Sequence, residues 1–183
     1  LEQAASPLEQ AWKRILTPAA KFWICKRATA LVAEAMEVMG GNGYVERSVM
    51  ARLLREAPVN SIWEGSGNIM CLDVLRALAR DPEGAACLLH DLQQHCEGVP
   101  VLHNTLQALA AALRQPAAQL EAQARHWVQQ LVLVAQAGLL LRHAPQAVAQ
   151  AFVRSRLGSS SCGWVVGALD VQGCDVEAIL QRA

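Results

Sequence analysis

Apolar side chains recur at three- and four-residue steps along most of this 183-residue chain, and no window alternates with the period of two expected of a strand. Phe22, Cys25, Thr29, Val32, Met36 and Met39 mark the seam of a bundle helix that Thr17-Pro18 opens as N-cap and N1. Gly40-Gly41-Asn42-Gly43 ends that helix by supplying the positive-φ backbone of a C-cap. A loop from Tyr44 to Arg47 leads to a short helix over about Val49 to Glu56, which Pro58 stops. Ile69, Leu72, Leu75 and Ala79 give one buried face to a helix running from Ser66 to about Arg80. Asp81-Pro82-Glu83 starts the next, which ends near Glu97-Gly98. Further helices are predicted from about Leu102 to Arg114, from Pro116 to roughly His143, and from Pro145 to Leu157-Gly158. Ser159 to Gly173 has loop chemistry, and Asp175 caps a last turn over Val176 to Arg182. The expected fold is all-α.

Composition adds bounds. Hydrophobic residues make up 53% of the chain, ample for a core, and the formal net charge of zero argues neither for nor against a general polyanion-binding surface. The six cysteines (25, 71, 87, 96, 162, 174) form no CxxC and no regular framework, as expected of reduced cytosolic thiols. The most apolar run, Leu131 to Leu141, is interrupted by Gln136 and is too short to span a bilayer. No segment reads as a signal peptide. These features predict a soluble, cytoplasmic protein. The polar first dozen residues, which begin without Met, give the chain the look of a piece of something longer.

The densest chemistry lies between Asn60 and Arg76. Glu64 stands between Trp63 and Gly65, and Gly65-Ser66-Gly67 leads into the apolar helical run with Ser66 as its N-cap. Two readings are open for this turn. It is a capped helix after a tight bend, or its bare backbone offers free N–H groups to an anionic or electron-rich ligand edge.

Three segments in order carry a resemblance. They are Glu34-Ala35-Met36-Glu37-Val38-Met39-Gly40-Gly41-Asn42-Gly43-Tyr44, then Arg52-Leu53-Leu54-Arg55-Glu56-Ala57, then Ile62-Trp63-Glu64-Gly65-Ser66. Together they resemble the C-terminal signature of flavin-dependent acyl-CoA dehydrogenases: a helix ending in Q-x-x-G-G-x-G-Y, an arginine-bearing helix, and an E-G-[TS] turn opening another helix. The words from Ser61 to Arg76, with about 100 further helical residues behind them, are similar to the AidB-type (adaptive response to alkylation) branch. Glu37 in place of Gln, Gly67-Asn68 in place of two polar residues, and Met70 in place of Gln depart from the general pattern towards that branch.

The resemblance implies an antiparallel helical bundle over residues 1–80, carrying flavin-facing motifs, and a helical extension over 81–183. It implies that Glu64 is the base removing the proton α to an acyl-CoA thioester, although some members of the wider family draw their base from another helix. FAD is the implied hydride acceptor, held largely by domains outside this chain. Gly40 and Gly41 match a backbone approach to FAD, often that of a neighbouring subunit. Ile62, Trp63, Ser66, Gly67, Asn68 and Leu72 match positions bordering the flavin. The expectation is therefore part of an FAD-dependent acyl-CoA dehydrogenase-like oxidoreductase, inactive as an isolated fragment, whose uncovered apolar seam calls for a homo-oligomer or partner.

Two other function classes compete. The AidB resemblance implies double-stranded DNA as a ligand of the extension, for which Arg76, Arg80, Arg154 and Arg156 are the candidate contacts. From Arg76 onward eight Arg face eight acidic residues and no Lys, so the basic excess of a DNA-binding module is missing. An oligomerisation module is the third reading, on the stripe Trp127, Leu131, Val134, Gly138 and Leu141, where Gly138 would admit a close neighbour. Such stripes are more often intramolecular core. No metal site is expected: Cys87, His90, His95, Cys96 and His103 cluster in sequence, but helical phase points them apart. Ser159 to Gly163 lacks the His and preceding strand of a nucleophile loop.

Overall fold

The structure is a computed structural model that describes residues 6–158, 171 and 173–182, and every described element is helical. The first helix, α1 (Pro7–Val38), begins eleven residues earlier than Thr17-Pro18 suggested. Ser6 accepts from the Glu9 N–H at 3.2 Å while the Glu9 carboxylate accepts from the Ser6 N–H at 2.9 Å, a capping box with Pro7 at N1. Pro18 therefore lies inside the helix. An interior Pro costs about 3 kcal/mol. Burial of Ile15, Leu16 and Phe22 on the same helix, at roughly 1.5–3 kcal/mol each, outweighs it.

Only Phe22 and Met36 of the predicted seam are buried, and Met39 is exposed. The buried arc of α1 is instead Ala11, Ile15, Leu16, Ala19 and Phe22, the stretch that joins the main apolar cluster. On another flank Ile24, Leu31 and Val38 are 61%, 64% and 88% exposed, so a line of apolar side chains seven residues apart has no cover within the described chain.

The chain then makes one helical turn, α2 (Gly41–Tyr44), and α3 (Val49–Glu56), which Ser48 caps at the Met50 N–H. A 3₁₀ turn over Ala57–Ser61 brings it back along α1. Next come α4 (Gly67–Arg80) and α5 (Pro82–His95), divided by Asp81, whose carboxylate accepts from the Gly84 N–H at 2.9 Å. On α4 the buried face is Cys71, Val74, Leu75 and Leu78, while Ile69 and Ala79 point outward. The predicted face was rotated because α4 is covered by α1 on one side and by a later helix on the other.

That later helix is α8. After α6 (Pro100–Ala112), the expected single helix from Pro116 is two: α7 (Ala117–Ala122) and α8 (Ala124–His143), broken at Gln123. No residue of α7 is buried, and only Leu120 packs against the core, so little holds it in line with α8. Helices α9 (Gln146–Leu157) and α10 (Val176–Leu180) complete the described chain, with Asp175 capping the Ala178 N–H. The Ser159–Gly163 segment and most of the expected loop lie outside the described residues.

One apolar cluster joins α1, α4, α5, α6, α8 and α9, with Ile15, Leu88, Leu92, Leu102, Leu131 and Val134 at its centre. Leu131, Val134 and Gly138 of the α8 stripe are buried in it, and Trp127 and Leu141 pack on its edge. The stripe is intramolecular core. A Cβ on Gly138 would stand 3.0 Å from the Cβ of His95 on α5, so the two helices do meet closely there.

Candidate functional site

The N–H groups of Ile62 and Trp63 both bond to the Val59 carbonyl, at 2.9 and 3.1 Å, winding the 3₁₀ turn to its end. The chain then reverses through Glu64 at φ 54° and Gly65 at φ 111°. Glu64 is the one non-glycine residue with positive φ among the described residues, a conformation that costs an L-residue roughly 1–2 kcal/mol. Gly65 is required by its φ, which L side chains rarely adopt; a Cβ there would also displace the tip of Met70, 2.3 Å away at Cε.

Two hydrogen bonds hold this reversal. Lys21 Nζ, projecting from α1, donates to the Trp63 carbonyl at 2.8 Å and to the Gly65 carbonyl at 2.5 Å. A trans peptide carries its N–H opposite its C=O. With both carbonyls turned towards α1, the N–H groups of Glu64 and Ser66 therefore face away from it. They find no acceptor among the described residues. Ser66 takes the predicted N-cap position at φ −68°, ψ 166°, but its hydroxyl makes no capping bond, so the first N–H groups of α4 also stay open. The Glu64 carboxylate is exposed, as are Ile62 and Trp63, the latter 56% accessible.

The first turn of α4 is pressed against α1. A Cβ on Gly67 would lie 2.8 Å from Lys26 Cε and 3.3 Å from Phe22. From α8, Arg125 Nε donates to the Asn68 side-chain oxygen at 2.7 Å. Between these elements opens a cleft of about 450 Å³ lined by Asn68, Cys71, Leu72, Glu121, Arg125 and His126. Burial pushes the Cys71 thiol up to about 11, against a downward pull from Arg125, so it is no nucleophile at neutral pH. Ile62, Trp63, Glu64, Ser66, Gly67, Asn68 and Leu72 thus share one end of α4. Lys21 and Arg125 went unnoticed in the sequence, where nothing links them to a turn 42 and 57 residues away.

The other predicted positions lie elsewhere. Gly40, at φ 59°, and Gly41 follow the end of α1, with nothing within 4 Å of a Cβ on either. Lys21 and Val38 are 17 residues apart on one helix, roughly 25 Å at 1.5 Å per residue. The glycine pair and the Glu64 turn are therefore separate features of one chain. Arg76 and Arg80 are exposed on α4 and act on Asp73, whose carboxylate is already bound by Arg14 at 2.7 and 2.8 Å. Arg156 faces Arg27, which stacks over Trp23 at 5.0 Å and whose pKa is lowered by burial and then by Arg156. Arg154 lies beside Gly173. A second cavity, about 700 Å³, runs between α1 and α8 past Trp12, Leu16, Trp23, Asp91, His95 and Leu139. There the Trp12 indole N–H donates to Asp91 at 2.8 Å, and Arg142 bonds His95 Nε2.

Residues 1–79 match the family model of the acyl-CoA dehydrogenase C-terminal domain. The chain is 45% identical over 157 residues to the putative acyl-CoA dehydrogenase AidB of Escherichia coli (strain K12), covering 85% of this chain and 28% of that protein. It is 41% identical over 75 residues to acyl-CoA dehydrogenase family member 11 of Caenorhabditis elegans, covering 41% of this chain and 12% of the relative. The chain thus spans less than a third of the length of these curated relatives. Among solved structures, Caenorhabditis elegans ACDH-11 in complex with C11-CoA superposes with a TM-score of 0.64 at 28% identity, over 82% of this chain and 29% of that one. The apo form of Bd2924 gives 0.61 at 34% identity, over 76% and 26%. The Glu64 turn, α1 and all but the last residue of α4 fall within residues 1–79, and the chain belongs to the acyl-CoA dehydrogenase family, as part of its C-terminal helical region.

Proposed function

We propose that this chain is the C-terminal portion of an FAD-dependent acyl-CoA dehydrogenase-like oxidoreductase, and that Glu64 is its base. The observation that carries the proposal is the Glu64 reversal, a strained carboxylate-bearing turn fixed from α1 with its N–H groups facing outward. Residues here fit a flavin and a thioester. The open N–H groups of Glu64, Ser66 and the first turn of α4 suit an electron-rich ring edge or a carbonyl oxygen. Exposed Ile62 and Trp63 offer apolar surface beside them. Gly40 and Gly41 leave bare backbone open to a second approach, suited to a cofactor bound mainly by a neighbouring subunit. When bound, FAD supplies the acceptor for the hydride leaving the β carbon.

The chain's own part is the other half of the reaction. The Glu64 carboxylate takes the proton from the carbon α to the thioester carbonyl and ends as the carboxylic acid. An outward N–H on the turn can hold the thioester oxygen as negative charge gathers there. Exposed as it stands, Glu64 gains its water-excluding walls from the substrate, the flavin and the rest of the polypeptide. That remainder also covers the exposed line Ile24, Leu31 and Val38, which has the spacing of a helix-packing seam.

The test uses the full-length polypeptide loaded with FAD. Flavin absorbance is followed after mixing with acyl-CoAs of different chain length. Glu64→Gln should keep the flavin spectrum and slow its bleaching by about 10²–10⁴-fold, the usual contribution of a general base. Bleaching at the unchanged rate would remove Glu64 as the base.

A further inference from the structure

The two carbonyls that Lys21 binds belong to the residues immediately before and after Glu64. A surface lysine that bonds one carbonyl is unremarkable, but this one closes a bracket around the one strained non-glycine residue described. Lys21 has no carboxylate partner among the described residues, so its ammonium is committed to the turn rather than shared with an ion pair. It also leaves from a firm base. Its neighbour Phe22 is buried against the first turn of α4, and α1 is packed along both.

Without the bracket, the peptides on either side of Glu64 can rotate. Either rotation swings the carboxylate and turns the Glu64 and Ser66 N–H groups away from their common outward direction. Ser66 does not secure the next turn in its place, because its hydroxyl makes no capping bond. We infer that Lys21 is a positioning residue for the proposed reaction, holding the Glu64 turn in its left-handed form so that carboxylate and N–H donors face the substrate together. It touches neither substrate nor reacting atoms. The inference rests on the reading of Glu64 as base.

The experiment compares Lys21→Met and Lys21→Arg with the parent in the full-length, FAD-loaded polypeptide. Hydrogen exchange measured by mass spectrometry reads the turn without reference to activity. In Lys21→Met, exchange should quicken across residues 60–70, where the Ile62, Trp63 and Met70 N–H groups are now bonded, and remain as in the parent along α5 and α8. The kcat should fall about a hundredfold with KM nearly unchanged, the expected cost of a misplaced reacting group. Lys21→Arg, whose planar fork can reach two carbonyls, should restore most of both readouts. Parent-like exchange and kcat in Lys21→Met would overturn the inference. So would quickened exchange throughout α1 and α4 with no rescue by Arg, which would make Lys21 a general stabiliser. If Glu64→Gln is inactive while Lys21→Met is fully active, the positioning role alone fails. If Glu64→Gln turns over normally, the base assignment fails first and takes this role with it.

Discussion

Gly138→Ala sets two terms of similar size against each other where α8 passes close to α5. Gly138 lies inside the twenty-residue helix α8, where Ala is favoured over Gly by about 1 kcal/mol. The added Cβ would stand 3.0 Å from His95 Cβ and 3.6 Å from Cys96 Sγ, whereas carbon atoms pack best at about 3.5–4.0 Å. The obstructing atom is the root of a side chain, so no rotamer change relieves the clash and the helices must separate by about half an ångström. Leu88 and Leu92 of α5, and Leu131 and Val134 of α8, are then loosened in the centre of the core. Overpacking of this kind costs about 1–3 kcal/mol. The net expectation is a loss of about 1 kcal/mol, which lowers the Tm of a chain this size by roughly 2–4 °C. Urea unfolding of parent and variant measures it, and the Trp12 indole resonance reports locally, because Trp12 and His95 both contact Asp91. A variant that gains about 1 kcal/mol with an undisturbed indole signal would show that the contact yields freely, and would refute the reasoning.

Two further outcomes are expected. Burial pushes the thiols of Cys71 and Cys96 up to about 11, so at pH 8 both should resist iodoacetamide in the folded chain while exposed Cys87 is labelled; equal labelling by mass spectrometry would contradict their burial. Arg14, first by hydrogen bonding, holds the Asp73 carboxyl below its unfolded value near 3.9, so its contribution is full above that value and lost as the pH falls through the lower, folded one. Both partners are partly exposed, which limits the pair to about 0.2–1 kcal/mol. Arg14→Met should therefore destabilise at pH 7 and much less at pH 2.5, and an equal loss at both would point to packing instead.

What the sequence made legible was local. Asp81-Pro82, Asp175 and the bounds of α3 are short-range statements of capping and phase, and the structure reproduces them. Ser66 was read correctly as a position and incorrectly as a bond, since the orientation of its hydroxyl depends on the reversal before it. Thr17-Pro18 misled because it is as good a helix start as Ser6-Pro7, and only burial on both sides of Pro18 decides between them. The Glu64 turn could be found from Trp63-Glu64-Gly65-Ser66-Gly67. The groups that hold it could not, because Lys21 and Arg125 meet it through long-range contacts that no spacing rule encodes.

The unbroken course of α1 has a consequence for how this region can change. A 32-residue helix is a rod of about 48 Å whose every residue is also an angular step of about 100°. Trp12 near one end, Lys21 along its length and the glycine pair beyond the other end are locked together in both distance and phase. One residue gained between Lys21 and Met36 would turn everything beyond it by more than a quarter circle, carrying Met36 and the glycine turn it contacts together out of phase with Lys21. Seven would restore the facing to within about 20° while moving the far end out by some 10 Å. Length variation in this helix is thus quantised, and the spacing between its two outlying features is among the least adjustable dimensions of the chain.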